Sequence, residues 1–196
     1  KTNIRTYYTK EEVIKLLNAI DIRTKQGKED YLIISLICYL GLRISDVVGL
    51  KLSNINFNDN TISIIQYKTD KQLTLPLIDK VKYPLLDYLK NARPNDTDLD
   101  YIFITFDKPY RHHVELKTHS YIVKKYLIKA GIDINGRKHG FHSLRHSFST
   151  LLLNEDTSLY SISTILGHHD IKTTMSYLDI DTSKLKELAL EVPYVK

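Results

Sequence analysis

The sequence has 196 residues, of which 42% are hydrophobic and 26% are charged, so it is long enough to bury the core of one domain and lacks the composition of a disordered chain. It carries 28 Lys and Arg against 23 Asp and Glu, and the resulting charge of +5 suits a polyanionic partner without requiring one. The single cysteine, Cys38, excludes an intramolecular disulfide and favours a reducing, cytoplasmic compartment.

The first part of the chain predicts two helices. Thr9 and Glu12 form a capping-box pattern at the start of a helix over residues 10–19. Residues 28–40 are apolar nearly all round, which predicts a buried central helix, and Gly41 is suited to end it in the left-handed conformation. Because the apolar run is too short to cross a bilayer, no membrane is expected as a partner.

Arg43 follows directly after this predicted helix. Either Ser45 or Asp46 is expected to cap a short helix there, so that Arg43 is anchored near the end of the buried helix. A structural pairing of Arg43 with Asp46 explains this stretch as well as a functional role does.

The pattern changes to period two over residues 55–77, which predicts a three-stranded antiparallel meander with turns at residues 58–60 and 68–71. Lys68 and Lys71 bracket the second turn. A lysine at a hairpin tip is usually only solvated, so these two residues indicate no function by themselves.

The middle of the chain predicts two further helices. The first covers residues 79–91, and the second covers residues 118–130 and ends at Gly131. Residues 92–100 and 106–117 are interpreted as surface loops around a short apolar piece. The residues expected to face inward from the first of these helices are Val81, Leu85, Leu86 and Leu89.

The stretch that starts FHSLRHSFSTLLL at residue 141 carries the strongest signal. On a helix its apolar side would hold Leu144, Phe148, Leu151 and Leu152. His142, Arg145 and Ser149 would share the other side. An imidazole beside a guanidinium suits two non-bridging oxygens of one phosphate.

The chain continues with two more predicted helices. One covers residues 158–166 and is followed by His168 and His169, and the next begins near Asp170 and carries Tyr177 near its end. One loop and about two helical turns separate His168 from Tyr177, which is compatible with a common site.

Three functions compete for this stretch. A metal site could use His142 and His146 with His168 or His169, but the helix lacks the Glu of the metalloprotease motif and Arg145 would repel a cation. A helix-turn-helix DNA-binding protein would also be basic and helical, but it would need neither the tyrosine nor the paired histidines. The third function is a tyrosine nucleophile held against a phosphodiester by Arg and His.

The motif H-x-L-R-H, followed by L-G-H and a Tyr nine residues later, resembles the tyrosine recombinase, or phage integrase, family. Arg43 in GLRISD matches the first catalytic arginine of the family, and Asp46 matches its usual acidic neighbour. Lys68, ahead of LTLPL, matches the catalytic lysine, although the KTDK turn lacks the usual glycine and leaves Lys71 as an alternative. The remaining catalytic positions match His142, Arg145, His168 and Tyr177 in order.

This resemblance implies an α+β fold, a mainly helical catalytic domain with a small three-stranded antiparallel sheet, over residues 1–196. The N-terminal helical domain that usually accompanies it is expected to be absent from this sequence. Residues 181–196 form a predicted amphipathic helix, which would pack on its own domain or dock on a neighbouring protomer.

The resemblance also implies an enzyme that cuts double-stranded DNA. Tyr177 would form a 3′-phosphotyrosine and leave a free 5′ hydroxyl, Lys68 would be the general acid, and neither a cofactor nor a metal would be needed. A homotetramer on DNA is expected, with a monomer as the state without DNA. A type IB topoisomerase and a non-catalytic DNA-binding regulator are the alternatives.

Overall fold

The computed structural model describes residues 7–154, with side chains through residue 150. The helices of this part are α1 (Lys10–Asn18), α2 (Lys25–Leu40), α3 (Ile44–Val48), α4 (Asp79–Asn91), α5 (Tyr121–Lys129) and α6 (Phe141–Asn154). The strands are β1 (Ile55–Asn56), β2 (Thr61–Ile65) and β3 (Gln72–Pro76), and two 3-10 helices cover Leu52–Asn54 and Val114–Thr118. The predicted α+β class is therefore confirmed. None of the helices within residues 7–154 is both long and apolar enough to cross a membrane.

Helix α2 is the centre of the core. Every residue of α2 from position 29 onward is buried, and the helix packs chiefly against α4 and α6. It begins three residues earlier than expected because Thr24 caps it, with the Thr24 hydroxyl accepting a hydrogen bond from the Gly27 amide at 2.9 Å. Gly41 ends it with a φ of 63°, so the predicted left-handed cap is confirmed. The predicted capping box of Thr9 and Glu12 on α1 is confirmed as well.

The sheet has the expected antiparallel order β1-β2-β3. Ile62 is opposite Leu75 and Ile64 is opposite Leu73, and these four side chains form the buried face. Their alternation with more polar residues fixes the register, since a shift by one residue would turn the apolar side chains outward.

Three local predictions were wrong. Helix α3 begins at Ile44 without a side-chain cap, because Ser45 and Asp46 lie inside the helix. On α4, Leu86 is exposed and Leu89 is only partly buried, while Pro84 and Tyr88 fill the inward positions. Helix α5 begins at Tyr121, since the 3-10 helix Val114–Thr118 occupies the preceding residues and buries Leu116.

Tyr8, two residues before the start of α1, is hydrogen-bonded to α6. The Tyr8 amide donates to the Ser147 hydroxyl at 2.8 Å, and the Tyr8 hydroxyl donates to the Lys138 carbonyl at 2.9 Å. Arg137 lies over the Tyr8 ring and forms an ion pair with Glu12 on α1, with Nη1 2.7 Å from Oε1. These contacts fix α6 relative to the start of the described chain.

A buried polar network ties α2 to its neighbours. The hydroxyl of Tyr88 on α4 donates to Glu29 at 3.2 Å, and that of Tyr126 on α5 donates to Asp30 at 2.6 Å. His113, just before the second 3-10 helix, places Nδ1 3.7 Å from the Glu29 carboxylate. This carboxylate raises the pKa of His113, while partial burial of the ring opposes the shift.

The raised pKa of His113 predicts a pH-dependent contribution to stability. The contribution should be complete below the unfolded-state pKa of about 6.5 and should disappear as the pH rises through the higher folded-state pKa. The free energy of unfolding of wild type minus that of His113→Asn, from urea titrations, should therefore be larger at acid than at alkaline pH. In a Glu29→Gln background this pH dependence should be much smaller, because only the weaker effect of Glu115 remains, and an undiminished pH dependence there would contradict the assignment to Glu29.

Candidate active site

Among the predicted site residues within the described part of the chain, Arg145 is the most deeply buried. It lies on α6, its side chain is buried, and its Nη1 donates to the carbonyl oxygen of Gly41. The C-terminal end of α2 offers carbonyl groups without helical partners and the negative end of the helix dipole, both of which favour a cation. Because α6 packs on α2, the guanidinium of Arg145 reaches the carbonyl of Gly41, which lies two residues before Arg43 in the chain.

The placement of Arg145 corrects the prediction that it shares an open helix face with His142. His142 is exposed, whereas Arg145 is only 6% exposed. The buried side of α6 is wider than the leucine pattern indicated, because Ser143 and Ser147 are also buried. The hydroxyl of Ser147 satisfies its hydrogen bond within the helix by donating to the Ser143 carbonyl at 2.8 Å. Leu144 and Phe148 are buried as expected, and the side chains of Leu151 and Leu152 lie outside the described residues.

Asp46 connects Arg43 with the hairpin that follows. Its Oδ2 lies 3.9 Å from Nη1 of Arg43, and its Oδ1 accepts a hydrogen bond from the Tyr67 amide at 2.8 Å. The Asp46 carboxylate is fully buried, so both contacts are made away from water. The ion pair between Arg43 and Asp46 that is expected of a structural arginine is therefore present. The same carboxylate attaches α3 to the loop between β2 and β3 through the Tyr67 amide.

Lys68 follows the anchored Tyr67 in an ordered turn. The Gln66 amide donates to the Lys71 carbonyl at 2.9 Å, and the Gln66 carbonyl accepts from the Asp70 amide, also at 2.9 Å. Asp70 has a φ of 51°, in the left-handed region. Both lysines are exposed, but Lys68 directly follows the residue bonded to Asp46, whereas Lys71 lies across the turn.

His142 lies in the first turn of α6, close enough to Arg145 and Arg43 for their positive charges to affect its pKa. Partial removal of its ring from water lowers its pKa, and the positive charges of Arg145, His146, Lys138 and Arg43 lower it further. The imidazole is therefore mainly neutral at pH 7. A neutral imidazole can donate one hydrogen bond and accept another, which suits a group that contacts a phosphate oxygen.

Four of the six predicted site residues thus lie in the described part of the chain: Arg43, Lys68, His142 and Arg145. Arg145 is bonded to the Gly41 carbonyl two residues before Arg43, and Arg43 is joined through the Asp46 carboxylate to the Tyr67 amide, next to Lys68. Guanidinium, ammonium and imidazole groups are suited to bind an anionic phosphodiester and to stabilise charge that develops on it. His168, Tyr177 and the helix predicted within residues 181–196 lie outside the described residues.

Sequence reasoning missed the two anchoring contacts. The acceptor of Arg145 is a backbone carbonyl 104 residues away, which no side-chain pattern reveals. Asp46 was recognised as a neighbour of Arg43, but its hydrogen bond to the Tyr67 amide depends on the packing of the hairpin against α3. The only available signal was an acidic residue one helical turn after the arginine.

Removal of the Asp46 carboxylate should loosen the hairpin. We expect Asp46→Ala to lower the free energy of unfolding by about 1–3 kcal/mol, because it leaves the Tyr67 amide without this acceptor and removes the charge partner of Arg43. Amide hydrogen exchange at Tyr67 should accelerate, measured by NMR. Asp98→Ala, at an exposed aspartate, is the control, and equal effects of the two substitutions would contradict this role.

The sequence matches the model of the phage integrase family over residues 6–184. It is 34% identical over 188 residues to tyrosine recombinase XerC of Caldanaerobacter subterraneus subsp. tengcongensis, an alignment that covers 95% of this chain and 51% of that protein. The chain thus spans about half the length of curated relatives such as this one.

Solved structures share the fold. The crystal structure of XerA recombinase superposes with a TM-score of 0.69 at 23% identity, covering 98% of this chain and 61% of that one. The XerH site-specific recombinase bound to a palindromic difH substrate, in a post-cleavage complex, gives a TM-score of 0.68 at 26% identity and covers 94% of this chain and 52% of that one. The family match over most of the sequence, together with this common fold, shows that the chain belongs to the phage integrase family of tyrosine recombinases.

Proposed function

We propose that this chain is the catalytic domain of a site-specific DNA recombinase that cleaves and rejoins double-stranded DNA through a phosphotyrosine intermediate. The observation that supports the proposal is the hydrogen bond from Arg145 to the carbonyl of Gly41, which lies two residues before Arg43 in the chain. A guanidinium has five N–H donors, so a bond that orients Arg145 is compatible with phosphate binding. The excess of Lys and Arg and the substrate-bound XerH relative support DNA as the partner.

In the proposed reaction, the phenolic oxygen of Tyr177 gives up its proton to water and attacks the scissile phosphorus. The bond from phosphorus to the 5′ oxygen breaks, and Lys68 donates a proton to that oxygen. The products are a 3′-phosphotyrosine and a free 5′ hydroxyl. A 5′ hydroxyl from a second duplex reverses the step, so the strands are exchanged without net loss of phosphodiester bonds.

Each proposed group has a physical role in this reaction. A tyrosine with a pKa near 10 is a weak nucleophile at neutral pH, so a positive environment that favours the phenolate activates it. Arg43, Arg145 and His168 would provide that environment and would stabilise the charge on the pentacoordinate phosphorus. His142, whose pKa is lowered, would contact a phosphate oxygen as a neutral donor.

We further propose that the protein acts as a homotetramer on DNA, with residues 181–196 docking on a neighbouring protomer. The amphipathic pattern of this segment supports the docking.

Tyr177→Phe tests the nucleophile. This variant should still bind a duplex that carries the recombination site, but it should form no covalent complex on a nicked suicide substrate, because it lacks the attacking oxygen. The measurement is the shifted protein–DNA band on a denaturing gel, and Tyr121→Phe, at an exposed tyrosine of α5, should form the adduct normally. Adduct formation by Tyr177→Phe would refute the assignment.

The wild-type protein separates the proposal from its alternatives. A non-catalytic regulator would bind DNA without an adduct. A type IB topoisomerase would relax supercoiled DNA of any sequence and would not join two sites.

Lys68→Ala and Lys71→Ala test the general acid. Loss of a general acid slows a reaction by about 10²–10⁴-fold, so Lys68→Ala should slow adduct formation by on the order of 10²-fold or more. Lys71→Ala should have a much smaller effect, because Lys71 does not follow the residue bonded to Asp46. Single-turnover cleavage rates measure both, and a larger loss in Lys71→Ala would reverse the assignment.

A further inference from the structure

Tyr67 is largely exposed to solvent, although its backbone amide is hydrogen-bonded to a buried group. Its side chain is 74% exposed, which is unusual for an aromatic ring, although single exposed aromatic residues occur on many surfaces. Its backbone amide is held by the buried carboxylate of Asp46, and the next residue is Lys68. A residue that served only to close the turn would need neither the ring nor this attachment.

Lys117 contacts the Tyr67 ring from a different part of the chain. Its Nζ lies 4.9 Å from the ring centroid, within the range of a cation–π interaction. The two residues are 50 positions apart in the sequence, which makes this a tertiary contact, so it restrains the loop against another element of the fold.

The 3-10 helix Val114–Thr118 that carries Lys117 is itself fixed on α3. Leu116 is fully buried, and the imidazole Nε2 of His112 lies 2.8 Å from the carbonyl oxygen of Val48 on α3. The loop of residues 66–71 is therefore attached to α3 in two ways. One attachment is the Asp46 carboxylate bonded to the Tyr67 amide, and the other is the Lys117 ammonium over the Tyr67 ring.

Two attachments at one residue restrict how the loop can turn. The hydrogen bonds within the hairpin order the turn itself, and the contact through the Tyr67 side chain adds a restraint on how the whole turn can rotate relative to α3. The loop carries Lys68, and a general acid must lie within hydrogen-bond reach of the atom that it protonates.

We propose that Tyr67 and Lys117 form a positioning pair that holds Lys68 toward the leaving 5′ oxygen. The proposal rests on the proposed function, because it takes Lys68 as the general acid. The pair acts through Lys68 and makes no contact with the reacting atoms itself. Its chemistry requires an aromatic ring at position 67 and a cation at position 117, so Tyr67→Phe and Lys117→Arg should conserve it.

A substrate with sulfur in place of the bridging 5′ oxygen isolates this role. A thiol is a much stronger acid than an alcohol, so the thiolate departs without a proton and cleavage no longer depends on a general acid. A defect that arises from a misplaced Lys68 should therefore disappear with the sulfur substrate, whereas a defect in DNA binding should remain.

The test compares single-turnover adduct formation by the full-length protein on nicked oxygen and sulfur substrates. Tyr67→Ala and Lys117→Met should be slower by roughly twofold to fivefold on the oxygen substrate, in keeping with the loss of one surface cation–π contact, and should match wild type on the sulfur substrate. Lys68→Ala should also recover on sulfur. Tyr67→Phe and Lys117→Arg should stay close to wild type, as should Tyr83→Ala, at an exposed tyrosine of α4.

Two outcomes would overturn the positioning role. In the first, Tyr67→Ala is as fast as Tyr83→Ala on the oxygen substrate. In the second, its defect persists on the sulfur substrate, which would assign the pair to DNA binding.

The restraint on the loop can also be measured by amide hydrogen exchange in the absence of DNA, and this measurement does not depend on the proposed function. Lys117→Met should accelerate exchange at Asp70, whose amide closes the turn onto Gln66, and Lys124→Met, at an exposed lysine of α5, should not. Unchanged exchange in Lys117→Met would contradict the restraint. A wild-type protein that forms no adduct on either substrate would refute the proposed function, and the exchange result would still decide whether the pair holds the loop.

Discussion

The bond from the Arg145 guanidinium to the Gly41 carbonyl is the contact on which the candidate site depends. A buried cation is costly unless it meets an acceptor, and the end of a buried helix supplies both carbonyl groups and a favourable dipole. Gly41 can present its carbonyl there because it turns the chain in the left-handed conformation. This single hydrogen bond gives the buried Arg145 guanidinium an acceptor and holds α6 against the segment that carries Arg43.

The other side of the site depends on the buried carboxylate of Asp46. It balances Arg43 and fixes the Tyr67 amide, so one acidic group both offsets positive charge and attaches the hairpin. An attached loop with an exposed lysine has a defined location at little cost in stability, because the lysine itself stays in water. At this hairpin a buried carboxylate therefore holds the backbone while the lysine that follows stays exposed.

Much of the frame was predictable from local patterns. The Thr9 capping box, the Gly41 cap and the alternating sheet residues are determined by neighbours a few positions away, and all were confirmed. On α4, Val81 and Leu85 are buried as predicted, but the inward placement of Leu86 was wrong, as was the start of α5, because both depend on tertiary partners such as Glu29 for Tyr88. The burial of Arg145 and the contact of Lys117 with Tyr67 join residues far apart in sequence, so residue patterns gave no sign of either. The roles of His168 and Tyr177 rest on the sequence motif.

We propose that Arg43 and Arg145 bind the same phosphate. A crystal structure of the protein bound to a duplex that carries its recombination site, with Tyr177→Phe to prevent cleavage, would decide this. We predict that both guanidinium groups lie within hydrogen-bond distance of non-bridging oxygens of one phosphate, with Lys68 beside its 5′ oxygen. A complex in which the two arginines contact different phosphates, or in which Arg145 contacts none, would contradict it.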